Sequence, residues 1–160
     1  MAVSIDHMVH VRPGRSSDQA ALAALREEVT NALRRIYLPV TGGASHRRIM
    51  PRFDTLVAVM GNHIIGTLEY TLAHETVYLQ GLGVAEGYRG QGVARALIEA
   101  VAAKARPYPL PRLELCTIRE TGNVQVFEQL GFQICDERAS TQFVGAAGQE
   151  VSEVIMRRSL

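Results

Sequence analysis

A chain of 160 residues, 47% of them hydrophobic and 21% charged, has the length and make-up of one globular domain. Seventeen basic and 16 acidic residues leave a net charge of +1, which excludes the basic excess of a general nucleic-acid binder and the acidity of a solvating tail. Cys116 and Cys135 sit in apolar segments and read as buried reduced thiols, and the five histidines are scattered without metal-ligand spacing.

In chain order, residues 8–11 form a first strand. Ser16 and Gln19 have the spacing of a capping box, and Leu22, Leu25, Val29, Leu33 and Ile36 recur at helical intervals. An amphipathic helix is therefore predicted over 18–36, with Arg26, Glu27, Arg34 and Arg35 on its polar face. Residues 37–52 are irregular, punctuated by Pro39, Gly42, Gly43 and Pro51, with room for a short helix over 45–49. Gly61-Asn62 between the apolar runs 53–60 and 63–71 predicts a hairpin, and 77–84 adds a third strand to the meander. Val93, Leu97 and Val101, with Ala94 and Ile98 beside them, mark a second helix, ended by Pro107, Pro109 and Pro111. A strand over 113–118 follows. Val124, Phe127 and Leu130 then mark a short helix stopped by Gly131. Strands over 132–137 and 151–157 close the chain as an antiparallel pair, joined through Gly145-Ala146-Ala147-Gly148.

This order predicts an α/β (α+β) fold in a single domain over 1–160. Its sheet is mixed and mostly antiparallel, with helices on both faces and a right-handed parallel strand–helix–strand crossover over 77–118. The first residues lack a basic region followed by an apolar stretch, and runs such as 56–60 are too short to span a bilayer. The expectation is a cytoplasmic protein with no membrane or nucleic-acid partner; a homodimer is left open.

The junction around 84–95 carries the chemistry. A helix starting near Gly92 presents unpaired backbone N–H groups and the positive end of its dipole. Gly90 and Gly92 let a diphosphate approach the backbone, and Arg89 adds a full charge, so the turn suits phosphates. A P-loop requires Lys-Ser/Thr where Val93-Ala94 stand, and a dinucleotide fingerprint requires glycine where Arg95 stands. A glycine-rich turn without a ligand is the plain alternative.

The segment Leu82-Gly83-Val84-Ala85-Glu86-Gly87-Tyr88-Arg89-Gly90-Gln91-Gly92-Val93-Ala94-Arg95-Ala96-Leu97-Ile98 resembles the most characteristic motif of the GNAT superfamily of acyl-CoA N-acyltransferases. Gly122-Asn123-Val124-Gln125-Val126-Phe127-Glu128-Gln129-Leu130-Gly131-Phe132 is similar to that family's later motif ending in Leu-Gly-Phe. The resemblance implies acetyl-CoA as acyl donor and no metal. It implies backbone pairing of Leu82, Gly83 and Val84 with the pantetheine arm, and a pyrophosphate site at Arg89, Gly90, Gln91, Gly92, Val93, Ala94 and Arg95. Asn123 and Phe127 would flank the arm. It also implies a bulge that splays two parallel strands, which Gly81 and Gly83 inside a strand support independently. A backbone N–H near Val84 would polarise the thioester carbonyl.

The implied reaction is direct attack by a neutral amine. Where relatives place a tyrosine as general acid, this chain has Phe127, which cannot donate a proton. Glu69 alternates with Thr67 and Thr71 on one face of its strand and is the first candidate base, with a solvated face as the plain alternative. Tyr78 and Gln80 share the parity of Leu82 and are further candidates to face the cleft. His74 and Glu75 read as turn residues. Arg47 and Arg48 are candidates to select an acidic acceptor. The expected function is acetyl transfer from acetyl-CoA to a primary amine of a small molecule. Acetylation of a protein N-terminus or lysine, and a non-catalytic acyl-CoA-binding module, are the alternatives.

Overall fold

The structure is a computed structural model that describes residues 8–40, 52–73, 76–109 and 111–160. The chain runs β1 (Val9–Pro13), α1 (Gln19–Arg34), β2 (Tyr37–Pro39), β3 (Asp54–Met60), β4 (His63–Ala73), β5 (Thr76–Val84) and α2 (Val93–Ala105). It continues through β6 (Arg112–Ile118), α3 (Asn123–Gln129), β7 (Gln133–Ala139), β8 (Phe143–Gly145) and β9 (Ser152–Ser159). Seven strands form one sheet in the order β1-β3-β4-β5-β6-β9-β7. Among the described residues only β5 and β6 pair in parallel, and α2 makes the crossover between them. The predicted fold class, hairpin and closing pair are all present.

The side of α2 that faces the sheet carries Val93, Leu97, Ile98 and Val101, all buried against Leu56, Leu68, Leu113 and Met156. Gly66 lets the helix come this close, because a Cβ there would stand 2.8 Å from the Val93 side chain. Each leucine buried in this layer stabilises the fold by about 1.5–3 kcal/mol. On the opposite face lies α1, whose Leu22 and Leu25 are buried and whose Val29 passes over Gly83, 2.8 Å from where a Cβ would sit.

Several details differ from the sequence expectation. The helix start is not capped by Ser16 and Gln19. Asp18 closes a short 3-10 turn by accepting the Arg15 backbone N–H at 2.7 Å, and Arg12 grips the same carboxylate at 2.7 and 3.0 Å. A charged acceptor held in place by a guanidinium outcompetes a hydroxyl. β2 and β8 form a separate two-stranded sheet that was not anticipated, since three residues are too few to show alternation. The proposed short helix over 45–49 lies outside the described residues.

Both cysteines are exposed rather than buried. Cys116 shares the parity of Glu114, opposite Leu113 and Leu115, which enter the α2-side core. Cys135 lies on edge strand β7, all seven of whose residues are exposed. Packing around the Cys116 sulfur, with Glu153 and Glu114 nearby, still pushes its thiol up to about 11, so it is no thiolate nucleophile at neutral pH.

The feature that shapes the site is a bulge in β5. Thr67 pairs with Gly83 and Glu69 with Gln80, so Gly81 and Leu82 together stand opposite Leu68. Gly81 adopts φ +63°, a conformation that glycine takes without steric cost. The extra residue inverts the alternation. Val77 and Leu79 join the α2-side core, and so do Leu82 and Val84, while Gln80 hydrogen-bonds Glu69. Tyr78 and Gln80 therefore do not share the face of Leu82, contrary to a simple count by twos.

Candidate active site

Past the bulge, β5 ends at Val84, a 3-10 turn spans Glu86–Tyr88, and Gly90 and Gly92 take φ +72° and +87° before α2 begins. Gly92 is the N-cap, with its carbonyl accepting the Ala96 N–H at 3.0 Å. The left-handed pair turns the chain so that the first N–H groups of α2 head into a cleft of about 620 Å³. These groups have no partner within the helix and carry its positive dipole end. Arg89 lies across the mouth, its Nε donating to the Val84 carbonyl at 3.0 Å, and Arg95 donates to the Gln129 carbonyl at 3.3 Å.

Leu82, Gly83, Val84, Arg89, Gly90, Gly92, Val93, Ala94, Arg95, Asn123 and Phe127 all line this cleft. Gln91 does not, and its side chain donates to the Gly87 carbonyl at 3.2 Å. The facing wall, missed from sequence, is Val29, Ala32, Leu33 and Ile36 of α1 and the residues just after it. Val29, Leu33 and Ile36 belong to the apolar stripe of the predicted amphipathic helix. Only Leu22 and Leu25 of that stripe are buried, so a stripe longer than the core it covers was the available signal. Tyr88, Thr121, Val126, Gln129 and Leu130 complete the lining.

The strand edge inside the cleft is open. β5 and β6 pair only at Val77 with Leu113 and Tyr78 with Glu114, and no rung joins them beyond that point. The Ala85 N–H donates to Ile65 on β4 at 2.8 Å. Backbone groups alternate along a strand, so the Val84 N–H faces the edge that β6 has left.

Glu69 and Tyr78 do not line the cleft. Glu69 lies on the α1 side, 3.3 Å from Arg26, and accepts from Gln80 at 3.3 Å. Tyr78 is at the last rung before the strands part, level with Glu114. Glu114, also missed from sequence, is a carboxylate only 5% exposed and bonded by Arg157. Its position between Leu113 and Leu115 in a strand was the signal. Phe127 is 9% exposed and packs edge-on to Phe132, 5.9 Å between centroids. Gly122 caps α3, and Asn123, the first residue of the helix, is among those that line the cleft. Arg47, Arg48, His74 and Glu75 lie outside the described residues. Among the described residues, no cluster of three or more His, Cys, Asp or Glu could hold a metal, and no helix is long and apolar enough to cross a membrane.

A model of the acetyltransferase (GNAT) family matches residues 24–132. No curated protein matches the chain in sequence. Among solved structures, a GCN5-related N-acetyltransferase from Kribbella flavida superposes with a TM-score of 0.72 at 20% identity, covering 97% of this chain and 99% of that one. A ribosomal-protein-alanine N-acetyltransferase from Brucella melitensis gives 0.70 at 20% identity, over 94% and 99%. A Bacillus anthracis str. Ames protein solved with acetyl coenzyme A gives 0.68 at 16% identity, over 95% and 99%. At these identities the likeness is one of fold.

Proposed function

We propose, from the premise that the chain belongs to the acetyltransferase (GNAT) family, that it moves an acetyl group from acetyl-CoA directly onto a primary amine of a small molecule. One observation carries this reading. The left-handed turn at Gly90 and Gly92, with its helix N-terminus, opens into the same cleft as the unpaired β5 edge at Val84.

The diphosphate of acetyl-CoA rests on the first N–H groups of α2, with Arg89 and Arg95 adding charge. The pantetheine arm lies along the free edge from Leu82 to Val84 as an added strand would, its amide taking the place of the Arg89 Nε at the Val84 carbonyl. The thioester carbonyl then lies by the Val84 N–H, which stabilises negative charge as the carbonyl becomes tetrahedral. The amine nitrogen forms the new C–N bond, the C–S bond breaks, and CoA departs as a thiolate. The ammonium proton must leave first. Glu69, tied to Arg26 and Gln80 outside the cleft lining, takes it through water. Tyr78 is the second candidate base. After the C–N bond forms, the nitrogen sheds its second proton to water as the tetrahedral intermediate collapses; Phe127 supplies no proton, and the thiolate collects one from solvent.

Calorimetry with acetyl-CoA and CoA release across a panel of primary amines test this reading. Gly92→Asp puts a side chain at φ +87° and a negative charge where the diphosphate lies, so acetyl-CoA affinity falls by roughly a hundred-fold. Unchanged affinity in a folded Gly92→Asp protein would overturn the site. Tight binding with no CoA release from any amine would make the protein an acyl-CoA-binding module instead.

A further inference from the structure

Arg34, in the last turn of α1, makes no ion pair among the described residues. Its Nη1 is buried and, among the described residues, has no hydrogen-bond partner. A buried guanidinium nitrogen without an acceptor forfeits the hydration of a charged donor, so it calls for an explanation in a native site. Favourable placement at a helix C-terminus uses the charge but gives the Nη1 hydrogens nothing to bond.

The surroundings show where that donor lies. The Arg34 guanidinium carbon sits 5.4 Å from the centre of the Tyr37 ring, a cation–π contact that fixes the group. Tyr37 is itself held by pairing with Gly145 and by an edge-on contact with Phe143 at 5.1 Å. Burial raises the Tyr37 phenol above its ordinary value, Arg34 pulls it the other way, and Cys116 is near enough to add to the rise. Cys116 lies on β6 two residues past Glu114, beyond the last rung shared with β5. The neighbours of Arg34 on the helix end, Leu33 and Ile36, line the cleft. Arg34 therefore lies at the end of α1 that borders the cleft, against Tyr37 and between residues that line it.

We propose that Arg34 selects the acceptor, its unpartnered Nη1 receiving a carboxylate, so that the amines acetylated are amino acids or derivatives that keep a free carboxyl group. This rests on the acetyl-transfer reading above. A planar guanidinium is suited to a carboxylate, and the bond is charge-assisted at both ends. With its carboxylate fixed at Arg34, the amino acid is left with its amino group to meet the thioester.

The test compares free α-amino acids with their methyl esters and their decarboxylated amines, reading kcat/KM from CoA release in the wild type, Arg34→Gln and Arg34→Lys. The wild type prefers the free acid by roughly ten-fold or more. The preference collapses in Arg34→Gln and returns in part in Arg34→Lys, while calorimetric acetyl-CoA affinity shows that each variant is folded. A wild type indifferent to the carboxyl group, or a preference that survives Arg34→Gln, overturns the proposal and leaves Nη1 with a bound water only. Absence of CoA release from every amine would overturn acetyl transfer, not this site. Binding of N-acetyl amino acids to the CoA complex then decides: dependence on Arg34 and on the free carboxyl sustains the proposal, and independence of either overturns it.

Discussion

On the α2 side of the sheet, Leu56, Ile65, Leu68, Leu97 and Met156 are each at most 2% exposed and form one continuous apolar layer. On the α1 side, Leu22, Leu25 and the half-buried Val29 share the surface with Thr67, Glu69, Thr71, Gln80 and Glu114, two of them carboxylates. α1 is pinned at its start by the Asp18–Arg12 pair and leans at its end over a cleft. The difference shows a division of labour within one sheet. Close packing on one face supplies most of the stability, which lets the other face keep the polar groups and the open volume that a transfer reaction needs.

The sharpest way to break that comparison is a matched pair of truncations. Leu97→Ala should cost about 2–5 kcal/mol, because a fully enclosed site cannot collapse around the void. Leu33→Ala, on the cleft wall, should cost well under half as much and show itself in acetyl-CoA affinity. Equal losses in urea titrations of the two variants would mean that the faces do not differ as described.

Next in size is Glu69→Gln, which keeps the hydrogen bond from Gln80 but removes the base. Turnover should drop by roughly ten-fold or more near neutral pH and recover in part at alkaline pH, where free amine is abundant. Identical pH–rate profiles for variant and wild type would exclude Glu69.

Acid should loosen the α1 face before the α2 face. The Arg12 hydrogen bond, helped by the Arg15 N–H, holds the Asp18 carboxyl at about 2 instead of 3.8. The charged form is favoured in the folded state, so this contribution is whole above 3.8 and is lost as pH falls from there to about 2. Asp18→Asn should lower Tm at neutral pH and flatten its decline through that window. A variant whose Tm falls with pH as steeply as the wild type would assign the acid sensitivity elsewhere.

Phe127→Tyr should change least. One hydroxyl is added at the boundary between core and cleft, and a thiolate leaves without a donor. A rise in CoA release of ten-fold or more would show that protonation of sulfur limits the rate.

The α2 face and the phosphate turn were legible because their determinants are local. Val93, Leu97, Ile98 and Val101 repeat at helical spacing, and Gly90 and Gly92 mark the backbone that the turn requires. The α1 face was less legible because its determinants are non-local. Whether Val29 and Leu33 cover core or border a cleft depends on where β6 departs from β5. The exposure of Cys116 depends on which side of β6 meets α2, and the apolar neighbours that suggested burial point the other way. Asp18 prevailed as cap through Arg12, six residues earlier.

The inserted residue at Gly81 also bears on how such a protein could change over time. Upstream of it, alternate β5 positions place Tyr78 and Gln80 on the face opposite the α2-side core; downstream, Leu82 and Val84 face that core and line the cleft. Under the proposed transfer, a single strand is thereby divided into two stretches whose side chains answer to different molecules. Variation at Tyr78 or Gln80 could retune the choice of amine without disturbing the coenzyme contacts, whereas deletion of Gly81 would lock the two stretches into one alternation and scramble both.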